Sequence, residues 1–463
     1  MSRLLLCVLG GLALALVFTA TPLGLGVLVA AALFALAAGR RLDPVDRRNF
    51  LIVLGVALAA RMAVIVLLFA SDLPNVNSLS LGSLTGDQSY NMMRSLRTRD
   101  ILLGFGDVTH YDYFVATDDY GRTSYIELLT VLQVIFGPAP FGLRLLNAAL
   151  FLAGGALLFR ALRPRYGRLP ATLGLMVVAF LPSLFYASIS VLKEALFFFA
   201  SSAVLVSAIA LGRTRSPLRL AGLLIVVVAG IWILDDLRRG AVLLSAAGLA
   251  CGVAIRLIGA TPRPFAVALT GVAAAALVIA TVPSIKQRAL DGVVAAAKQH
   301  SGHVFTVGHA YKLLDEGFYA HPRTNASRLD LTPEQAVRFV ARGITAFLLT
   351  PLPWEARSLS ERAFLPEHLL WYALLLALPF GIAEGWRRDP WATSMILGFV
   401  IPMAITLALT TGNIGTLLRL RGLVTPYIAW VSALGFCVVA ERVCARWRDT
   451  RQAADYHPVE SRA

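Results

Sequence analysis

Apolar runs dominate the pattern of hydrophobic and polar positions along this 463-residue chain. Many of them approach the roughly 20 residues that an α-helix needs to cross a bilayer, and charge, proline or glycine bounds each one. We therefore expect an all-α polytopic membrane protein with about twelve transmembrane helices. The predicted spans cover residues 4–19, 21–38, 50–70, 142–160, 169–189, 192–212, 219–235, 241–258, 264–283, 367–386, 391–411 and 422–441.

Two apolar runs need a separate interpretation. The run 4–19 follows a short basic start, as in a signal peptide, but a second apolar run begins after only Thr21 and Pro22. We interpret the two runs as an uncleaved helical hairpin. The run 125–137 is too short to span a bilayer, and we expect an interfacial or re-entrant helix there on the outer side.

Composition supports a membrane protein. The chain is 57% hydrophobic and only 15% charged, whereas a soluble domain is typically about 25% charged. This excludes an intrinsically disordered, collagen-like or disulfide-scaffold protein. The net charge of +15 would indicate a nucleic-acid partner only if it were gathered on one soluble face, and we expect none.

The arginines predict the orientation. With Met1 in the cytoplasm, the short inner segments and the C-terminal tail together hold 21 Arg and 8 acidic residues, and all four Lys lie elsewhere. The positive-inside rule then places both termini in the cytoplasm of a multi-pass protein of the bacterial inner or plasma membrane. This topology predicts one transmembrane domain over 1–441, with outer segments 71–141 and 284–366, and a polar cytoplasmic tail over 442–463.

Three short turns on the predicted outer side carry bases where the positive-inside rule expects few. Arginine forks and lysine ammonium groups bind phosphate oxygens, which indicates an anionic partner. The alternative is local ion pairing of Arg238 and Arg239 with Asp235 and Asp236, and of Lys193 with Glu194, because exposed ion pairs are common and weak. Two further bases, in the turn that begins at Asn413, have no adjacent acid: Arg419 and Arg421.

The segment 85–94 opens the first outer segment with a carboxylate. Asp87 is expected at or near the N-cap of a helix whose apolar face includes Tyr90. It is either an ordinary cap or a general base or metal ligand held just outside the membrane. Asp118 and Asp119 form either a simple turn or part of a metal or sugar site. His300, His303 and His309 could bind a transition metal, although their spacing fits no zinc signature.

The chain resembles the GT-C superfamily of membrane glycosyltransferases, in particular the protein mannosyltransferase and aminoarabinose transferase branch. The resemblance covers residues 50–212 well and 340–441 loosely. It rests on five stretches, namely Gly86 to Tyr90, Tyr125 to Asn147, Leu181 to Ser188, Leu192 to Glu194, and Asn413 to Arg421.

This resemblance implies an inverting enzyme that moves a sugar from a polyprenyl-phosphate donor to a lipid, glycan or protein acceptor. Asp87 matches the family's catalytic acid, but Gly86 stands where the family has a second acid, so the need for a divalent metal stays open. The implied phosphate ligands are Lys193, Arg238, Arg239, Arg419 and Arg421. Tyr90, Glu194, Asp235, Asp236 and Asn413 would support the site.

Two other functions fit the same pattern. Twelve spans also suit a transporter or lipid flippase, which would show repeat symmetry and broken helices at the middle of the membrane. A polysaccharide polymerase or ligase would also join lipid-linked sugars outside the membrane, but with a growing glycan as the acceptor. The sequence shows no nucleotide-binding motif, as a lipid-linked donor requires none.

Overall fold

The computed structural model describes residues 22–72, 86–105, 109–118, 123–306, 309–319, 329–355, 362 and 364–455. The first predicted span, 4–19, and the predicted site residue Asp119 lie outside these residues. The described part is helical and contains no β-strand beyond one isolated bridge between Ala310 and Asn413.

Eighteen α-helices are found in the described ranges. In chain order they are α1 (Pro22–Gly39), α2 (Pro44–Asp72), α3 (Gly86–Leu103), α4 (His110–Thr117), α5 (Ser124–Phe136), α6 (Pro140–Tyr166), α7 (Arg168–Phe180), α8 (Pro182–Ile189), α9 (Glu194–Leu211), α10 (Pro217–Leu237), α11 (Ala241–Gly259), α12 (Pro264–Thr281), α13 (Pro283–Val304), α14 (Pro333–Leu349), α15 (Leu365–Arg388), α16 (Pro390–Thr410), α17 (Ile414–Arg421) and α18 (Thr425–Asp455). Short 3-10 helices cover Glu316–Tyr319 and Pro353–Glu355.

The described helices confirm an all-α chain with many membrane-length apolar helices. Ten are long and apolar enough to cross a membrane, and the broken pair α7 and α8 would make eleven. The pair bends where Pro182 begins α8, since proline has no N–H for the ladder of the preceding helix. Every predicted span from 21–38 onward matches one of these helices or the broken pair. Helix α5 has 13 residues, and its position relative to a membrane stays a prediction.

Two compact units make up the chain. Unit 1 comprises Met1–Ala161 and Val178–Leu249, and unit 2 comprises Leu162–Val177 and Ala250–Ala463. In unit 1, α9 packs along α10, and α3 packs on α5 through a hydrogen bond of 2.7 Å from Gln133 Nε2 to Ser95 Oγ. Buried polar contacts of this kind fix the position of α3, which carries Asp87.

In unit 2, α15 and α18 pack closely enough that their backbones almost touch. A Cβ atom placed on Gly381 would lie 1.9 Å from Val431 O, and one placed on Gly435 would lie 2.0 Å from Ala377 O. Small residues that allow close backbone approach are characteristic of helix pairs in membranes. By contrast, no residue of α12 is buried, as expected for an apolar helix that faces lipid. The last helix continues to Asp455, into the segment predicted as a polar tail.

We predict that Gly435→Ala destabilises the protein by about 1–3 kcal/mol, because the added methyl group overlaps the carbonyl of Ala377 and forces the two helices apart. Thermal unfolding of the purified protein in detergent measures this effect. Gly271→Ala is the matched control, since a Cβ atom on Gly271 meets no atom within 4 Å. Equal unfolding temperatures for the two variants would contradict the close packing of α15 and α18.

Candidate functional site

Helix α3 presents the predicted catalytic carboxylate at its start. Asp87 is the second residue of the helix and is exposed, in agreement with its expected place near the N-cap. Tyr90 is 36% exposed. One turn after Asp87, on the same face of the helix, the Asn91 side chain donates from Nδ2 to Val191 O at 3.1 Å. This bond joins the first turns of α3 to the turn between α8 and α9.

The turn between α8 and α9 is held by a second buried amide. Asn147 Nδ2 lies 2.6 Å from Ser190 O and 3.0 Å from Leu192 O. The same nitrogen lies 2.8 Å from the hydroxyl oxygen of Tyr125, whose pKa is raised because the ring is buried. Together with Asn91, which binds the carbonyl of residue 191, Asn147 fixes three successive carbonyl groups. The positions of Lys193 and Glu194 follow from this arrangement.

Glu194 forms an ion pair with Arg238 across unit 1. Arg238 Nη2 lies 3.1 Å from Glu194 Oε1, and the Glu194 side chain is only 5% exposed. The guanidinium group of Arg238 also lies over the Phe197 ring, 5.8 Å from its centroid. Arg238 therefore pairs with Glu194 and not with Asp235 or Asp236 of its own turn. Instead, the pair brings two of the predicted outer turns together.

Asp235 and Asp236 bind the starts of two helices. Asp235 Oδ1 accepts from the backbone N–H groups of Gly240 at 2.9 Å and Val242 at 3.0 Å, at the start of α11. Asp236 Oδ2 accepts from Ser124 N at 2.8 Å and from the Ser124 hydroxyl, at the start of α5. Helix starts favour carboxylates because their N–H groups lack acceptors within the helix. Both acids therefore have structural partners, which fix the turn that carries Arg238.

Arg239 differs from its neighbours in that turn. It is exposed, and no carboxylate in the described part of the chain forms an ion pair with it. Its guanidinium group is therefore available to an anion outside the protein.

The aspartates that follow α3 also have structural roles. Asp112 forms a capping box with Thr109 at the start of α4 and an ion pair of 3.1 Å with Arg97 Nε. The hydrogen bond from the Thr109 hydroxyl is the main reason that the pKa of Asp112 is lowered. Asp118 is the C-cap of α4, and its backbone carbonyl accepts from Arg94. Among the described residues, no three His, Cys, Asp or Glu side chains are close enough together to hold a metal ion.

Arg421, in unit 2, is almost fully buried, with 4% exposure. Its Nη2 donates to Phe347 O at 2.5 Å and to Thr350 O at 2.7 Å, at the C-terminal end of α14. The guanidinium group lies 4.9 Å from the centroid of the Trp371 ring. Burial lowers the pKa of Arg421 to about 10, which leaves the side chain charged at neutral pH. Its predicted role as a phosphate ligand stays a prediction, but two of its donor contacts already go to backbone carbonyls.

Two aromatic side chains of α15 bind further carbonyl groups at the C-terminal end of α14. Trp371 Nε1 donates to Leu348 O at 2.9 Å, and the Tyr372 hydroxyl donates to Leu349 O at 2.6 Å. The last carbonyl groups of a helix have no partner within it, and here three side chains from elsewhere in unit 2 bind them. Arg419, half-buried in the last turn of α17, remains a candidate phosphate ligand.

Asn413 and the histidines also bind helix ends in unit 2. Asn413 Oδ1 accepts from Gly415 N at 2.9 Å and from Thr416 N at 3.3 Å, which caps α17. At the end of α16, His303 Nδ1 lies 2.7 Å from Thr410 O, and His300 Nδ1 lies 2.9 Å from Thr411 O. The hydroxyl of Tyr311 also donates to Thr411 O. Two of the three histidines that could have bound a metal therefore cap α16 in this structure.

We predict that His300 makes the protein less stable in acid. Burial lowers its pKa to about 4, below the 6.5 of an unperturbed histidine. The unfolded chain therefore binds the extra proton first, and stability falls as the pH drops from about 6.5 to about 4, by about 2–3 kcal/mol in total. In His300→Asn, whose amide can still donate to Thr411 O, thermal unfolding in detergent should depend less on pH over this window. The exposed His110→Asn is the control, and equal pH dependence in all three proteins would refute the assignment.

Asn91 and Asn147 were not predicted as site residues, although both lie within or next to the stretches that carry the family resemblance. Their only signal in the sequence is an amide side chain within a helix, which does not identify a partner. Comparison of the chain with protein-family models, curated proteins and solved structures found no match.

Proposed function

We propose that the protein is an inverting glycosyltransferase that takes its sugar from a polyprenyl-phosphate donor on the outer face of the membrane. The observation that carries the proposal is the hydrogen bond from Asn91 to Val191 O. It supports a site in which the exposed Asp87 carboxylate lies on the face of α3 that meets the turn bearing Lys193. A carboxylate and bases at neighbouring helix ends suit the transfer of a sugar from a lipid phosphate to an alcohol.

The proposed reaction is a single displacement. The acceptor hydroxyl oxygen forms a bond to the anomeric carbon of the sugar, while the bond from that carbon to the phosphate oxygen breaks. Asp87 takes the acceptor proton, and the lipid phosphate leaves with the electron pair. One displacement inverts the anomeric carbon. The step needs no nucleotide, because the lipid phosphate is the leaving group.

Bases of unit 1 would stabilise the phosphate as its negative charge grows. Lys193 is the N-cap residue of α9, and Arg239 is exposed in the turn that precedes α11. Arg238, which precedes Arg239, forms an ion pair with Glu194, which follows Lys193. Cations fixed before the reaction stabilise developing charge strongly in a partly dry site. Lys193 and Arg239 are therefore the main candidates for phosphate contact, and Arg238 holds their surroundings in place.

The positive charge of the predicted inner segments supports the choice of the outer face for the proposed site. The predicted inner segments hold 21 of the 42 basic residues, all Arg, with 8 acidic residues. The turns that contain Lys193 and Arg239 would then face outwards together with the start of α3. The acceptor could be a lipid, a glycan or a protein, since no described feature selects among them.

We predict that Asp87→Asn lowers the rate of sugar transfer at least about 100-fold, because the amide cannot accept the acceptor proton. The assay follows label from a polyprenyl-phosphate sugar to membrane acceptors with purified protein in detergent. Detergent removes the two compartments that a flippase or transporter needs, so transfer there also distinguishes the proposed function from those alternatives. Asp100→Asn, on the same helix, is the control. Full activity of Asp87→Asn, with a folded protein, would rule out Asp87 as the base.

We predict that Lys193→Met raises the apparent KM for the polyprenyl-phosphate sugar about tenfold or more, since a charge-assisted contact to the phosphate is lost. Steady-state kinetics with a varied donor concentration measures this change. Lys298→Met, which removes a lysine elsewhere in the chain, should leave KM as in the wild type. An unchanged KM in both variants would assign Lys193 a purely structural role.

A further inference from the structure

A cavity in unit 2 lies beside the C-terminal end of α14, next to the Thr350 carbonyl that Arg421 binds. Its volume is about 720 Å³, and its walls are the segment around residues 309–313, the second half of α14 and the segment 349–355. Three basic side chains line it, His309, Lys312 and Arg342, against one carboxylate, Glu355. This excess of basic groups favours an anionic ligand.

Among these three side chains, Arg342 is the main candidate for contact with an anion. It projects from α14 and is exposed, and its Nη2 donates to Lys312 O at 3.2 Å. No carboxylate in the described ranges forms an ion pair with it, whereas Lys312 Nζ lies 3.0 Å from Glu316 Oε1. A guanidinium fork offers several donors in one plane and so can bind phosphate while one N–H holds a carbonyl. Arg342 is therefore the expected main contact for an anion.

The rest of the cavity wall is apolar. Leu313, Ala346, Leu349, Leu352 and Ile414 line it. Its volume falls in the range of about 300–1,000 Å³ that holds a whole small-molecule ligand rather than a single ion. A ligand that fills the cavity must therefore join an anionic group to an apolar part.

The outer surface of α14 indicates how such a ligand could enter. Val337, Ile344 and Leu348 lie on one side of the helix and are 70%, 38% and 37% exposed. Trp354, close to the cavity wall in sequence, is 78% exposed. An amphipathic helix with an exposed apolar stripe and a neighbouring tryptophan is typical of the membrane–water interface. A lipid in the bilayer would then reach the cavity from its side.

We propose that this cavity binds a phosphorylated lipid, with the phosphate on Arg342 and the first carbons of the chain against Leu349 and Leu352. The proposal does not depend on the glycosyltransferase activity, because it uses other residues in the other unit.

Photolabelling tests the proposal at the site itself. The purified full-length protein in detergent is irradiated with a dodecyl phosphate that carries a diazirine in its chain, and labelled peptides are mapped by mass spectrometry. We expect label on the segment 349–355, reduced about tenfold or more in Arg342→Ala and less in Arg342→Lys. Arg338→Ala, one turn earlier on the same helix and outside the cavity wall, should label like the wild type. Thermal unfolding checks that each variant is folded.

Two further probes separate the phosphate from the chain. A dodecanol diazirine lacks the charge and should not label the segment, and inorganic phosphate at equal concentration should not displace the lipid probe. Equal labelling by dodecanol, equal competition by inorganic phosphate, or label that persists in folded Arg342→Ala would each overturn the proposal. Asp87→Asn protein should label like the wild type, so that failure here and failure of the sugar-transfer assay are distinguishable.

Discussion

The free carbonyl and amide groups at the helix ends are the constraint on which much of the rest of this structure depends. Each helix leaves four N–H groups and four C=O groups without partners, and burying such a group without one costs free energy. Here side chains from distant parts of the chain supply the partners. Arg421 and Trp371 bind the end of α14, His300 binds the end of α16, and Asp236 binds the start of α5.

This constraint changes the meaning of a charged residue at a helix end. No acid stands near Arg421 in the sequence, but its observed partners are the carbonyl oxygens of residues 347 and 350. A carbonyl satisfies a guanidinium group without any counter-charge, and every residue carries one. A sequence shows which bases have an acid nearby, but it does not show which bases bind backbone carbonyl groups. The number of bases that need an external anion is therefore overestimated from sequence. The exposed Arg239, which forms no ion pair within the described part, is a better indicator of such a partner than the buried Arg421.

The helices were predictable, whereas their contacts were not. Spans such as 241–258 and 264–283 follow from run length and composition, which are local properties, and the structure has α11 and α12 there. Asp87 in the first turn of α3 also follows from local pattern. The bonds from Asn91 to residue 191 and from Arg238 to Glu194 join positions 100 and 44 residues apart. Such pairs depend on tertiary packing, which no spacing in one sequence reveals.

The same division bears on the proposed chemistry. A catalytic site needs groups that the fold holds in place yet leaves open to a ligand, and the caps and the site therefore compete for the same residue types. In unit 1, Asp235 and Asp236 bind the starts of helices, and Glu194 forms an ion pair with Arg238. The exposed Asp87 lies in the first turn of α3, one turn before Asn91, which donates to the carbonyl of Val191. An exposed carboxylate on a helix that buried polar contacts fix in position suits the role of base that we propose for Asp87.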